Sequence, residues 1–189
     1  MTDADSIQST VDKNALALTF VAEFDATPER VWQVWQDPRQ LERWWGPPTW
    51  PATFTRHEPV VGGESRYYMT GPEGEKSGGW WRITAVDEPR LLEFDDGFAD
   101  EAGQPNDSMP TIRMRVTLEP LAGNRTRMTT VGRFASEEHM EQMLTMGMHE
   151  GTTLAMGQIY ALLSGASTTS GAPTTGGAAT KGDLHVGSH

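Results

Sequence analysis

The stretch LALTFVAEFDATPERVWQVWQDPRQLERWWGP, residues 16–47, decides the fold. Its first third places Leu16, Leu18, Phe20, Ala22 and Phe24 at alternate positions, the pattern of a half-buried strand. Thr27-Pro28-Glu29 then supplies a side-chain cap, a proline preset for the first helical turn and an acid for the positive end of the helix dipole. A short helix follows through Val31, Trp32 and Trp35. Asp37-Pro38 repeats the device, with Gln40 placed as a capping-box partner, and the second short helix ends at Trp45-Gly46-Pro47.

Downstream of Pro51 the period changes to two and stays there. Strand-like runs occupy Ala52–Glu58, Glu64–Thr70, Gly79–Val86, Leu91–Phe94, Thr111–Glu119 and Arg125–Phe134. The punctuation between them is Gly62-Gly63, Gly71-Pro72-Glu73-Gly74, Asp87-Glu88-Pro89, a long acidic loop beginning at Asp95-Asp96, and Gly123-Asn124. Short connections between consecutive strands mean an antiparallel meander. Ser136, followed by Glu137 and Glu138, caps a long helix that runs to Ser164. The expected fold class is α+β: one curved antiparallel sheet of about seven strands, two short helices after the first strand, and a long C-terminal helix across the sheet.

The boundaries follow from composition. Residues 1–14 carry three Asp and scattered apolar groups, and are read as a disordered N-terminal segment. Residues 15–164 form the folded domain. Residues 165–189 are mostly Gly, Ala, Ser and Thr, too poor in apolar surface to offset the entropy of ordering, and are read as a disordered tail. Fifteen Lys and Arg against 26 Asp and Glu give a net charge of −11, which argues against nucleic acid and against anionic membrane surfaces. With no Cys, the chain has no disulfide, thiolate nucleophile or cysteine metal site. No secretory signal or membrane-spanning run is present, and a cytoplasmic location is the expectation. His57, His139 and His149 show no metal-ligand spacing, and neither a Walker loop nor a dinucleotide fingerprint occurs, so no cofactor is expected.

On the closing helix, Met140, Met143, Leu144, Gly147, Gly151, Leu154, Gln158 and Leu162 fall on one face. Glycine costs a helix interior about 1 kcal/mol relative to alanine. Two readings account for Gly147 and Gly151: close approach of another element, or space left for a guest between soft Met side chains. A second stripe of Met146, Met156, Tyr160 and Leu163 has two readings, a partly solvated face or a contact between copies in a homodimer, the second being preferred.

These residues together resemble a known family. Phe24 through Trp32, then Trp35-Gln36-Asp37-Pro38, Leu41, Trp44-Trp45-Gly46-Pro47, Gly62-Gly63, Gly71-Pro72-Glu73-Gly74, Met146 through Gly151 and Leu162-Leu163 look like the START-like (SRPBCC) superfamily. The nearest branch is named after the activator of the heat-shock-ninety chaperone's ATPase. The resemblance implies a helix-grip fold, with a sheet wrapped round the last helix and an apolar cavity between them. Arg56 and Val60 depart from the branch's pattern, so its surface pairings there are not carried over. The eukaryotic activator has a further amino-terminal domain, which the roughly thirteen leading residues cannot supply. Direct action on a chaperone partner is therefore not expected.

Within that fold the inward residues expected to meet a ligand are Trp45, His57, Tyr67, Met69, Trp81, Met114, Met143, Gly147 and Gly151. His57 has two readings: a core histidine with its hydrogen bonds satisfied, or a group that orients a ligand or acts as acid and base. Glu93 could partner it only if Leu91, Glu93 and Asp95 faced inward; Leu92 and Phe94 are the better claimants for the interior. Arg113 and Arg115 are read as solvated charges. The expected function is binding of a small apolar or aromatic molecule, of lipid- or polyketide-like character, between sheet and helix. The alternatives are a polyketide cyclase- or dehydratase-like enzyme using His57, and an interaction protein of the chaperone-accessory type.

Overall fold

Thr27 begins the first helix as its sequence dictates: its hydroxyl accepts the Arg30 N–H at 3.3 Å, with Pro28 in the first turn. Residues 6–165 are described in this computed structural model. In chain order they form β1 (Gln8–Asp12), β2 (Ala17–Phe24), α1 (Pro28–Gln36), α2 (Pro38–Leu41), β3 (Ala52–His57), β4 (Glu64–Thr70), β5 (Lys76–Asp87), β6 (Leu91–Ala99), β7 (Ile112–Leu121), β8 (Arg125–Arg133), α3 (Glu137–Thr145) and α4 (Met148–Leu163). The strands make one antiparallel sheet in the order β1-β2-β8-β7-β6-β5-β4-β3. β2 therefore lies near one edge and β3 at the other. The chain between them must cross the whole sheet, and α1 and α2 are that crossing.

Asp37 caps α2 through the Arg39 N–H at 2.9 Å, and Gln40 donates to the second Asp37 oxygen at 3.1 Å, closing the cap through side chains. α2 is only one turn. Trp44 follows it, donating its indole N–H to the Val34 carbonyl at 2.8 Å and packing edge-on against Trp35. The inward faces of β2, β5, β6 and β7 contribute Leu18, Phe20, Trp81, Ile83, Leu92, Phe94, Met114 and Val116, all almost wholly buried.

The α+β architecture stands, with four differences from the sequence expectation. The sheet has eight strands, because residues 8–12, expected to be disordered, add β1 to the edge of β2. Its side chains are exposed, so no hydrophobic alternation announces it. His149 on α4 donates to or accepts from Ser9 at 2.6 Å and ties that edge to the helix. Second, the closing helix is broken in two at Gly147, whose φ of +90° is left-handed and costs glycine little. Third, Met156 is not on an exposed stripe: it is 1 % exposed within the chain, and Tyr160 packs on Phe24 with ring centroids 4.7 Å apart. Met156 thus drops out of the stripe read as a contact between copies, and Leu154, placed on the cavity face, is exposed. Fourth, β6 continues to Ala99, which draws Asp95 and Asp96 out of the expected acidic loop and into the sheet. The expected tail from residue 166 on lies outside the described residues. Among the described residues no helix is long and apolar enough to cross a membrane.

Candidate functional site

A cavity of about 270 Å³ lies between the sheet and the helical layer. β4 contributes Tyr67 and Met69 to its floor, β6 Asp96 and Phe98, and β7 Ile112 and Met114. Trp44, Trp45, Gly46 and Pro47 close one side, and Met143, Met146, Gly147, Met148 and Gly151 the other. A smaller lobe of about 110 Å³ continues past Tyr67, Asp96 and Met143 to Gly78 and Pro110. The lining is dominated by thioether and aromatic groups, which repack readily around apolar guests.

The two helical glycines have different reasons. Gly147 is required by its left-handed backbone at the α3–α4 break. Gly151 sits inside α4 with ordinary helical geometry, and a Cβ there would meet no atom within 4 Å. Close approach of a neighbour is thus not its explanation; it faces open space at the cavity wall. Gln158 holds the opposite side of the site, donating to the Gly46 carbonyl at 2.8 Å and so fastening α4 to the Trp44–Pro47 turn.

A hydrogen-bonded polar pair and Thr152 interrupt the apolar lining. The Tyr67 hydroxyl donates to Asp96 Oδ1 at 2.9 Å. The two residues belong to strands separated by β5, and the ring reaches across because Tyr67 pairs with Gly79, where any Cβ would overlap it. Asp96 borders the cavity and keeps some accessible surface, but it lies deep enough for burial to push its carboxyl up to about 7. The Tyr67 hydrogen bond works against that rise by favouring the carboxylate. Burial, then the Asp96 charge, raises the Tyr67 hydroxyl well above its ordinary range, so it is a donor at any physiological pH. The indole N–H groups of Trp45 and Trp81 are buried near this pair without a hydrogen-bond partner of good geometry. Their positive ends still favour the ionised forms of the pair.

Of the residues expected from sequence, Trp45, Tyr67, Met69, Met114, Met143, Gly147 and Gly151 line this cavity. Trp81 and His57 do not. Trp81 is fully buried behind it, stacked on Phe94 with centroids 4.0 Å apart. His57 faces inward only because a bulge between Phe54 and Arg56 resets the strand, so Phe54, not Thr55, shares its side. Its Nε2 lies 2.9 Å from the Trp35 carbonyl and its Nδ1 2.8 Å from Ser65 Oγ. A carbonyl only accepts, so Nε2 carries the proton and Nδ1 accepts from the hydroxyl. Both ring nitrogens are occupied, and burial holds the imidazole below its usual pKa, hence neutral. The core-histidine reading is the one the geometry fits. His57→Ala is expected to cost about 2 kcal/mol in denaturant unfolding, from a lost side chain and an orphaned Ser65, while ligand affinity stays unchanged.

Glu93 faces outward, accepting from Thr84 and Arg115 at 2.9 Å each, so it is no partner for His57. Leu92 and Phe94 take the interior. Arg113 and Arg115 are not simply solvated: Arg113 makes a two-pronged pair with Asp95 at 2.8 and 3.0 Å. Among the described residues no group of three or more His, Asp or Glu is placed to hold a metal ion. The residue missed by sequence reasoning is Asp96. The alternation Leu92, Phe94, carried two residues further, would have turned it inward.

Comparison with known proteins agrees with the fold. No curated protein matches the sequence. A solution structure of an Arthrobacter aurescens protein is similar at 57% identity and a TM-score of 0.81, covering 84% of this chain and 92% of that one. A Mycobacterium smegmatis crystal structure is similar at 48% identity and a TM-score of 0.77, covering 83% and 96% respectively. The Aha1 dimer of Colwellia psychrerythraea, 14% identical with a TM-score of 0.56 over 78% of this chain and 95% of that one, shares the fold. Residues 25–164 match the family described as Activator of Hsp90 ATPase homolog 1-like protein, spanning everything from the end of β2 to the end of α4. With the wrapped sheet and the helices laid over it, this chain belongs to that family, the branch of the START-like superfamily its Trp-rich crossing resembles.

Proposed function

We propose that this chain binds a small, largely apolar molecule in the cavity between sheet and helices. The observation that carries the reading is Gly151: an interior helical position left open toward a cavity lined by Met and Trp. Burying roughly 200 Å² of apolar ligand surface would supply about 5 kcal/mol before the entropic cost of association. The Tyr67–Asp96 pair gives the cavity one end that can orient a polar group. No nucleic acid or membrane partner is part of this reading, and its setting is the cytoplasm.

The test is calorimetric titration with 1-naphthylmethanol, a neutral bicyclic probe. Saturable one-site binding with a Kd on the order of 100 µM or tighter is expected. Heats indistinguishable from dilution up to the probe's solubility would contradict the reading.

The enzymatic alternative, a cyclase- or dehydratase-like activity, was built on His57, whose two nitrogens are engaged away from the cavity. Any proton transfer inside the cavity falls instead to Asp96, whose carboxyl titrates near neutrality.

A further inference from the structure

The inward side of β6 holds a charge without a countercharge. Its other acids are answered by the neighbouring strand: Asp95 by Arg113, and Glu93 by Arg115 at 2.9 Å. Both face outward. Asp96 faces inward, with a phenol on one oxygen and no cationic side chain among the residues that line the cavity. Buried carboxylates are ordinarily paired, because an isolated one loses its hydration without compensation. Every element packed round Asp96 repeats the point. β4 offers Tyr67, β5 Trp81, β7 Ile112 and Met114, α3 Met143, and the turn after α2 Trp45. Tyr67 is the other titratable group there, and it is already donating.

We infer that the ligand is a hydrophobic amine, held as its ammonium by Asp96 and enclosed by the aromatic and thioether lining of the cavity. The inference rests on the binding reading above and names its ligand class. An ammonium supplies the charge that the chain withholds from Asp96. Trp45 and Tyr67, whose ring centroids lie 5.9 Å apart, both present π-systems to the cavity, which attract a desolvated cation further. A ligand carboxylate would meet the reverse field, with no Arg or Lys in the lining to receive it. The free carboxyl is half-protonated near pH 7, and a bound ammonium would draw it down, so binding releases protons below neutrality.

The experiment titrates the full chain with three probes of one shape: 1-naphthylmethylamine, 1-naphthylmethanol and 1-naphthoic acid. Calorimetry is run from pH 5.5 to 8, in two buffers of different ionisation enthalpy at each pH. The amine stays protonated throughout. At pH 8 it is expected to bind at least tenfold tighter than the alcohol, and the acid more weakly than either. Below pH 7 the amine's affinity should fall about tenfold per unit, with proton release, while the alcohol's stays level. Asp96→Asn should abolish the amine's advantage over the alcohol at pH 8. Equal binding of amine and alcohol at pH 8, or tighter binding of the acid, would overturn the inference and leave the apolar-binding reading intact. No binding of any of the three would overturn both.

Discussion

Asp96→Asn is expected to raise the melting temperature at pH 8 by about 6 °C or more and to leave it unchanged near pH 3. The folded chain holds the Asp96 carboxyl at about 7, against an ordinary value near 3.8, chiefly because burial penalises its charge. A carboxyl raised on folding binds its proton more tightly in the folded state. Stability is thus highest where both states are protonated, below about pH 4. It declines as pH rises toward 7 and is level above that, where both states are ionised. Three units would correspond to about 4 kcal/mol; partial access to the cavity reduces this to ~3 kcal/mol. Asparagine keeps an oxygen to accept the Tyr67 hydroxyl and carries no charge to desolvate. Thermal unfolding of both proteins at several pH values isolates the effect as a difference. His57, held low by burial, contributes the opposite slope to both alike. A variant less stable than the parent at pH 8 would mean that the carboxylate is compensated within the chain.

Gly151→Leu is expected to weaken binding of 1-naphthylmethanol at least thirtyfold without unfolding the protein. The backbone there is ordinary helix, so replacing glycine recovers about 1 kcal/mol of helix propensity. A Cβ meets no atom within 4 Å, so the isobutyl group enters the cavity and takes space a ligand needs. Thirtyfold corresponds to ~2 kcal/mol, within the usual cost of overfilling a packed site. Gly147→Leu is a poorer instrument, since its φ of +90° makes any side chain strain the backbone whatever the cavity does. Unchanged affinity in Gly151→Leu, with the fold intact, would place the ligand elsewhere.

The architecture was legible because its determinants are local. Thr27 and Asp37 cap the helices the sequence assigns to them, and the alternation through Leu18–Phe24 points inward as read, as does Met114. What escaped is what depends on context. β1 carries an exposed pattern that pairing with β2, not burial, makes a strand. Gly147 lies within a continuous helical period, and only the backbone angle reveals the break. Strict alternation would put His57 on the side of Thr53 and Thr55; the bulge between Phe54 and Arg56 puts it beside Phe54 instead. Asp96 falls in the acidic stretch after Phe94 that composition marks as a loop. Yet Gly97 accommodates the Trp80 indole on the outer face, and the strand runs on to Ala99. The Tyr67–Asp96 pair spans three strands through a glycine gap, a relation no sequence period encodes.

Native mass spectrometry of freshly purified protein, parent beside Gly151→Leu, tests the cavity most directly. The account predicts an adduct of a small organic molecule on the parent that is absent from the variant. A parent free of any adduct that also fails to take up 1-naphthylmethanol, or one adduct retained equally by both proteins, would contradict it.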